Sequence, residues 1–135
     1  MAKNTWILTT LITILVIGFA GYQYMTTRSS LGPLATPASK DIPEDAHVIT
    51  LTEDGFVPDE ITIKKGEIIA FVTTTGNLFW PASNLHPSHL VYPEFDPMEP
   101  VQPDSVWSYT FEKLGEWKFH DHLAPYFTGT ITVTE

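Results

Sequence analysis

From Asp45 to Glu135 the chain is a succession of short runs that alternate apolar and polar residues, with no useful stretch carrying a helical period. His47–Thr52 alternates and is rich in β-branched residues. Glu60–Lys64 alternates cleanly, and Ile68–Thr74 is a continuous apolar run of strand length. Val106–Phe111, Trp117–His120 and Thr130–Val133 complete the set, and Asp54-Gly55, Lys65-Gly66-Glu67 and Leu114-Gly115 are turn signals between runs. A face that repeats every two residues has to be covered by a second layer. About seven short strands in roughly 90 residues therefore predict an all-β sandwich or barrel. The stretch between the third and fourth runs, Thr75 to Asp104, is long, irregular and rich in proline. It is expected to be either a functional loop or a packed Ω-loop plugging one end of the barrel.

The N-terminus is of another kind. Trp6 to Ala20 is uncharged and apolar all round, continues weakly to Tyr24, and follows Lys3. At about 15–19 residues it lies between a signal-peptide core and a short transmembrane helix. Residues 1–25 are expected to be a signal anchor, or a signal peptide cleaved after Ala20. The anchor is favoured because Gly18-Phe-Ala20 is a mediocre cleavage site and Tyr22 and Tyr24 suit a membrane interface. Residues 26–44, with three prolines and serines scattered among them and no periodicity, are expected to be an extended linker, and 45–135 the folded domain. Either fate of the N-terminus puts the domain outside the cytoplasm, membrane-anchored or secreted.

Charge and cysteine content narrow the chemistry. The chain carries 16 acids against 7 Lys and Arg, a formal charge of −9. The domain keeps only Lys64, Lys65, Lys113 and Lys118 against fourteen acids. No basic face is available for phosphates, which excludes nucleic acid as a partner, and the domain should stand off an anionic membrane. The chain has no cysteine. That excludes disulfides, iron–sulfur clusters, thiolate metal sites and a thiol nucleophile.

Four of the five histidines form two close pairs, His86 and His89 in Asn84-Leu-His-Pro-Ser-His89, and His120 and His122 in Phe119-His-Asp-His-Leu123. On a strand, residues i and i+2 face one way, so His120 and His122 are expected to share a face, with Asp121 pointing opposite as a solvent group or turn acceptor. Ligands converging from two distant segments are what a metal site needs, and copper and zinc are the natural ions for imidazole. The competing expectation is that the imidazoles hydrogen-bond to loop carbonyls or to Asp121, Asp96 or Glu94. Met98 is a candidate weak axial ligand or a packing residue. His47, on the first run, has no evident role. Trp80 and Trp107 are expected either to shield the site or to belong to the core.

Gly55-Phe-Val-Pro-Asp-Glu-Ile-Thr-Ile-Lys-Lys-Gly-Glu67, the closing run Gly115-Glu-Trp-Lys-Phe-His-Asp-His122 and Gly129-Thr-Ile-Thr-Val133 resemble the small cupredoxins of the plastocyanin and azurin type. The resemblance runs from about Val48 to Val133. It implies a Greek-key cupredoxin-like β-sandwich with a copper site at one end. Carried over by position, His120 falls where the family has its cysteine, His122 one residue before its second histidine, and Thr128 near its axial methionine. His89 resembles the upstream histidine, and His86 has no counterpart. Phe119-His-Asp-His and His86-Pro-Ser-His-Leu90 also resemble the Y-H-S-H and H-P-x-H-L motifs of multicopper oxidases, which use more such pairs than one domain holds.

Without the thiolate, a blue electron carrier of the usual sort is not expected. The expectation is a membrane-tethered copper-binding domain. His89, His120 and His122 are its expected metal ligands, with His86 as a fourth ligand or near neighbour, and its expected role is copper binding, sequestration or handover to a copper-delivery or redox protein. Zinc is the alternative metal. A metal-free interaction module and a type 2 copper or zinc enzyme are the competing functions, and a redox role stays open.

Overall fold

The computed structural model describes residues 40–135; the expected anchor and the expected linker up to residue 39 lie outside them. Among the described residues no helix is long and apolar enough to cross a membrane. Eight strands are present there: β1 (His47–Thr52), β2 (Gly55–Val57), β3 (Glu60–Lys64), β4 (Ile68–Thr73), β5 (Pro81–Ser83), β6 (Trp107–Thr110), β7 (Gly115–Asp121) and β8 (Ala124–Thr134).

The strands form two four-stranded sheets, ordered β2-β1-β4-β6 and β3-β8-β7-β5. β1 runs antiparallel to β2 and parallel to β4, and β6 closes antiparallel on β4. In the other sheet β3 is parallel to β8, β8 antiparallel to β7, and β7 antiparallel to β5. The chain therefore passes repeatedly from one sheet to the other, and the predicted two-layer sandwich is what it builds.

Alternation explains the core. Ile49 and Leu51 of β1, Ile63 of β3, Phe119 of β7 and Ile131 and Val133 of β8 are all buried. Aromatic rings fill the space between the layers. Phe95 stacks on Trp107 with centroids 5.8 Å apart and planes within 8°, and Phe71 meets Phe119 edge-on at 5.6 Å. Trp107 thus takes the core role.

Two strands escaped the sequence pattern. β2 is too short to alternate. β5, Pro81-Ala-Ser83, is buried at every position, so it carries no period-2 signal. β8 begins at Ala124, well before the alternating run at Thr130. Its early part is irregular because the β7–β8 register shifts between His120, opposite Thr128, and Asp121, opposite Ala124, which bulges Pro125–Phe127 out of the ladder.

The long proline-rich segment is packed. Phe79 bridges to Val101, and Phe79, Tyr92, Phe95 and Val101 are buried in the core. The fully buried Ser83 hydroxyl lies 2.9 Å from the carbonyl oxygens of both His89 and Tyr92 and accepts the Tyr92 N–H at 3.2 Å. The segment is anchored like an Ω-loop, yet it also carries His86 and His89.

Candidate metal centre

The site begins with the pairing of β5 and β7, which sets Ala82 opposite His120 and Ser83 opposite Phe119. In this antiparallel pair the chain leaving β5 starts opposite Lys118, while Trp80, just before β5, lies beside Asp121 at the end of β7. Asn84 N–H donates to Lys118 O at 2.9 Å, and Val91 N–H returns to Asn84 O at 3.0 Å, closing a loop that holds His86 and His89.

His120 sits on β7, but His122 does not. The strand ends at Asp121, and His122 occupies the two-residue turn into β8. The reason is the Asp121 side chain, which is buried instead of facing solvent. Its Oδ1 accepts the N–H of Trp80 at 2.7 Å and of Leu123 at 3.4 Å, while His122 N–H donates to Trp80 O at 2.7 Å. A carboxylate held by two backbone donors makes a turn where alternation alone would continue a strand. Burial raises the Asp121 carboxyl above its ordinary range, and the N–H groups of Trp80 and Leu123 oppose that.

All four paired histidines come together. His86 lies 4.7 Å from His122 and 5.4 Å from His120 between ring centroids, and His89 lies 4.9 Å and 5.2 Å from the same two. One ring nitrogen from each of His86, His120 and His122 falls within 4.8 Å of the others, a spacing that admits one ion. His89 is engaged on both sides. Its Nδ1 is 2.5 Å from Asp96 Oδ2, and its Nε2 is 2.9 Å from His122 Nδ1. Its backbone has φ 52°, in the left-handed region that few residues other than glycine occupy. His89 N–H donates to Leu85 O at 2.8 Å, which helps hold that conformation.

His120 tests whether these residues suit a metal. Its Nδ1 is 3.0 Å from Asn84 Oδ1, and an amide oxygen can only accept, so the proton sits on Nδ1. Nε2 is then a lone pair, fully buried and without a hydrogen-bond partner. An orphaned buried acceptor costs about 1–3 kcal/mol unless a ligand takes it. The donor set around it is imidazole, which suits copper or zinc.

The electrostatics point the same way. Burial, then the neighbouring His89, His86 and His122, push the His120 imidazole down to about 4, with Asp96 opposing. His122 is lowered by burial and then by His89 and His86. Both rings are therefore neutral at pH 7, the form that binds metals.

The other expected groups fall into place around this cluster. Trp80 packs on His122 with centroids 4.5 Å apart, and its Nε1–H donates to Asp96 Oδ1 at 2.7 Å. It flanks the site, whereas Trp107 does not. Met98 exposes 71% of its surface, and its backbone N–H donates to Asp96 Oδ1 at 2.7 Å. Glu94 pairs with Lys113 at 2.8 Å, and His47 pairs with Glu67 at 3.1 Å on β1. Asn84 is the residue that pattern reasoning missed. It is adjacent to the His86 motif, but its partner is 36 positions away, so nothing local marks it.

No family model matches the sequence, and no curated protein sequence matches it. Solved structures do match in fold. A Cu(I) form of a methionine-to-alanine mutant of amicyanin superposes with a TM-score of 0.61 at 16% identity, covering 76% of this chain and 95% of that one. Amicyanin from Paracoccus versutus (Thiobacillus versutus) gives 0.60 at 22% identity, covering 73% and 92%. A purple cupredoxin from Nitrosopumilus maritimus gives 0.57 at 17% identity, covering 67% and 100%. The domain has a cupredoxin-like fold, with no cysteine and a histidine-rich candidate site.

Proposed function

We propose that this domain binds copper through the histidine cluster and serves in copper binding, sequestration or handover. The observation that carries this reading is the buried, unpartnered Nε2 of His120 beside His86 and His122, in a fold that amicyanin shares. His86, His120 and His122 would hold the ion, with His89 directly behind His122. The chemistry supplied by a bound copper would be that of a pale, type 2 centre, because the strong charge-transfer bond of blue copper needs a thiolate.

Each residue contributes a distinct physical part. His120 is fixed by Asn84 and shielded from water. His122 is fixed by the Asp121 turn and packed against Trp80. His86 is exposed, so the ion would enter and leave on its side. An exposed ligand beside two sheltered ones suits handover to a copper-delivery or redox partner.

The apolar run Trp6–Ala20 and the segment rich in proline and serine after it support a tethered domain on the extracytoplasmic side of a membrane. The acidity of the domain is compatible with standing clear of anionic lipid.

The test uses the full chain, loaded with Cu(II), washed, and assayed for metal content and by electron paramagnetic resonance. One retained copper with nitrogen hyperfine structure, a type 2 spectrum and no intense blue band is the expected result. Loss of all Cu(II) with retention of Zn(II) reassigns the metal. Loss of both overturns the reading.

A further inference from the structure

His89 differs from the other three paired histidines, and the difference lies in its hydrogen bonds. Both of its ring nitrogens already have protein partners, and both partners are specific. On one side is Asp96, 7% exposed, whose Oδ2 meets His89 Nδ1. The other oxygen of Asp96 receives two donors, Trp80 Nε1–H and Met98 N–H, each at 2.7 Å. An oxygen that accepts twice is spoken for, and the remaining oxygen, as part of a carboxylate, can only accept. The proton between Asp96 and His89 therefore belongs to His89 Nδ1.

That assignment propagates. With its proton on Nδ1, His89 presents a lone pair at Nε2. The atom 2.9 Å away is His122 Nδ1, which must then carry the hydrogen of that contact. A neutral imidazole protonated on Nδ1 has its lone pair on Nε2. The Asp96 carboxylate thus dictates, through two rings, which nitrogen of His122 is free.

We propose that Asp96, His89 and His122 form a carboxylate–imidazole–imidazole relay, in which His122 is a copper ligand through Nε2 and His89 is a positioning residue behind it. This deepens the copper reading and rests on it. It divides the four histidines into three that hold the ion, His86, His120 and His122, and one that orients a holder. It gives His122 the same kind of support that Asn84 gives His120, an acceptor fixing the proton on Nδ1. Outer partners of this kind orient a ligand ring and raise its basicity. Trp80 belongs to the same arrangement, since its ring packs on His122 while its indole N–H is tied to the Asp96 that anchors the relay.

The relay makes a prediction about Asp96→Asn, which nearly preserves shape. The amide oxygen would stay with the two N–H donors of Trp80 and Met98, leaving the amide NH₂ facing His89. His89 Nδ1 must then accept, its proton moves to Nε2, and His122 Nδ1 in turn accepts. The proton of His122 ends on Nε2, the nitrogen meant for the ion.

The experiment has two readouts on the full chain. Nitrogen-15 correlation spectra of the metal-free protein report the tautomer of each histidine. X-ray absorption on the Cu(II)-loaded protein counts the imidazoles bound to copper. The relay requires His89 and His122 both protonated at Nδ1 and three imidazoles on copper. Asp96→Asn should reverse both tautomers and weaken copper binding by roughly 10–100-fold. Asp96→Glu, which keeps an acceptor, should restore the tautomers and part of the affinity. It also decides the matter if Asp96→Asn fails to fold. Four imidazoles on copper, a wild-type His89 protonated at Nε2, or unchanged affinity in Asp96→Asn overturns the relay while leaving the copper reading in place. A wild-type chain that binds no Cu(II) overturns the copper reading and the relay's role in it together.

Discussion

A single proton decides what His120 can do. Asn84 holds it on Nδ1, and the opposite nitrogen is left buried with nothing to bond. Replacing Asn84 with alanine removes the acceptor and frees the ring to take the other tautomer or to rotate. Copper affinity of Asn84→Ala, measured by competition titration, should fall by about tenfold or more, the usual size of a lost outer-shell partner. Asn84→Asp, which keeps an acceptor oxygen, should lose less. Equal losses in the two variants would mean that Asn84 acts through loop shape and not through His120. The same logic explains why proximity in sequence misleads here. Asp121 stands between two candidate ligands, yet its carboxylate is occupied by the backbone N–H groups of Trp80 and Leu123.

At the scale of elements, the site depends on how β7 and β8 close on each other. Gly129 on β8 lies opposite Phe119 on β7. A Cβ there would fall 2.6 Å from the carbonyl oxygen of Asp59, which accepts the Thr130 N–H at 2.7 Å. It would also press on the Phe119 ring, which sits in the core directly before His120. Neither the backbone nor a buried aromatic can yield cheaply. Gly129→Ala should therefore destabilise the domain by about 1–3 kcal/mol in denaturant unfolding, the usual penalty of overpacking. Because the displaced ring is next to His120, a proposed ligand, copper affinity should fall as well. Unchanged stability would mean that the two strands separate without loss. The bulge at Pro125–Phe127 serves this region too, since it lets a strand bent out of register return as a regular partner of β3 from Glu60↔Thr130 to Lys64↔Thr134.

For the whole molecule, the crowded imidazoles set the pH behaviour. His120 titrates at about 4 in the folded protein against 6.5 for the free side chain, so the unfolded chain takes up that proton first. Unfolding is then favoured progressively as pH falls from 6.5 towards 4, and His122, also lowered, adds the same sign. Asp121, raised by burial, contributes in the opposite sense. Melting temperature of the metal-free protein should decline across that window. Copper should raise the melting temperature at pH 7 by mass action, with about 2.7 kcal/mol gained when free metal reaches a hundred times Kd. That gain should shrink towards pH 4 as protons compete for the same nitrogens. A copper-induced shift independent of pH would place the ion on carboxylates elsewhere on this acidic surface.

Much of this protein follows from its sequence alone. Period-2 alternation in β1 and β3 determines an all-β class, because only a sheet buries every second residue. The absence of cysteine restricts any metal to nitrogen, oxygen or thioether donors, and two histidine pairs in a chain with one other histidine point to a site. Those signals are local and composition-based, and they survive without coordinates. Short or wholly buried strands such as β2 and β5 left no such signal, since three residues cannot show a period. The tertiary structure decided the rest. It put His122 in a turn instead of on a strand, sent Trp107 to the core and kept Trp80 at the site. It also aimed Asn84 and Asp96 at particular ring nitrogens. A histidine's free nitrogen is chosen by whatever accepts the proton on the other one. For His120 that acceptor comes from the β5 side of the sheet, and for His89 from the loop that follows. Only folding brings those acceptors within hydrogen-bond distance, so the ligand character of each ring is a property of the packed chain and not of its motif.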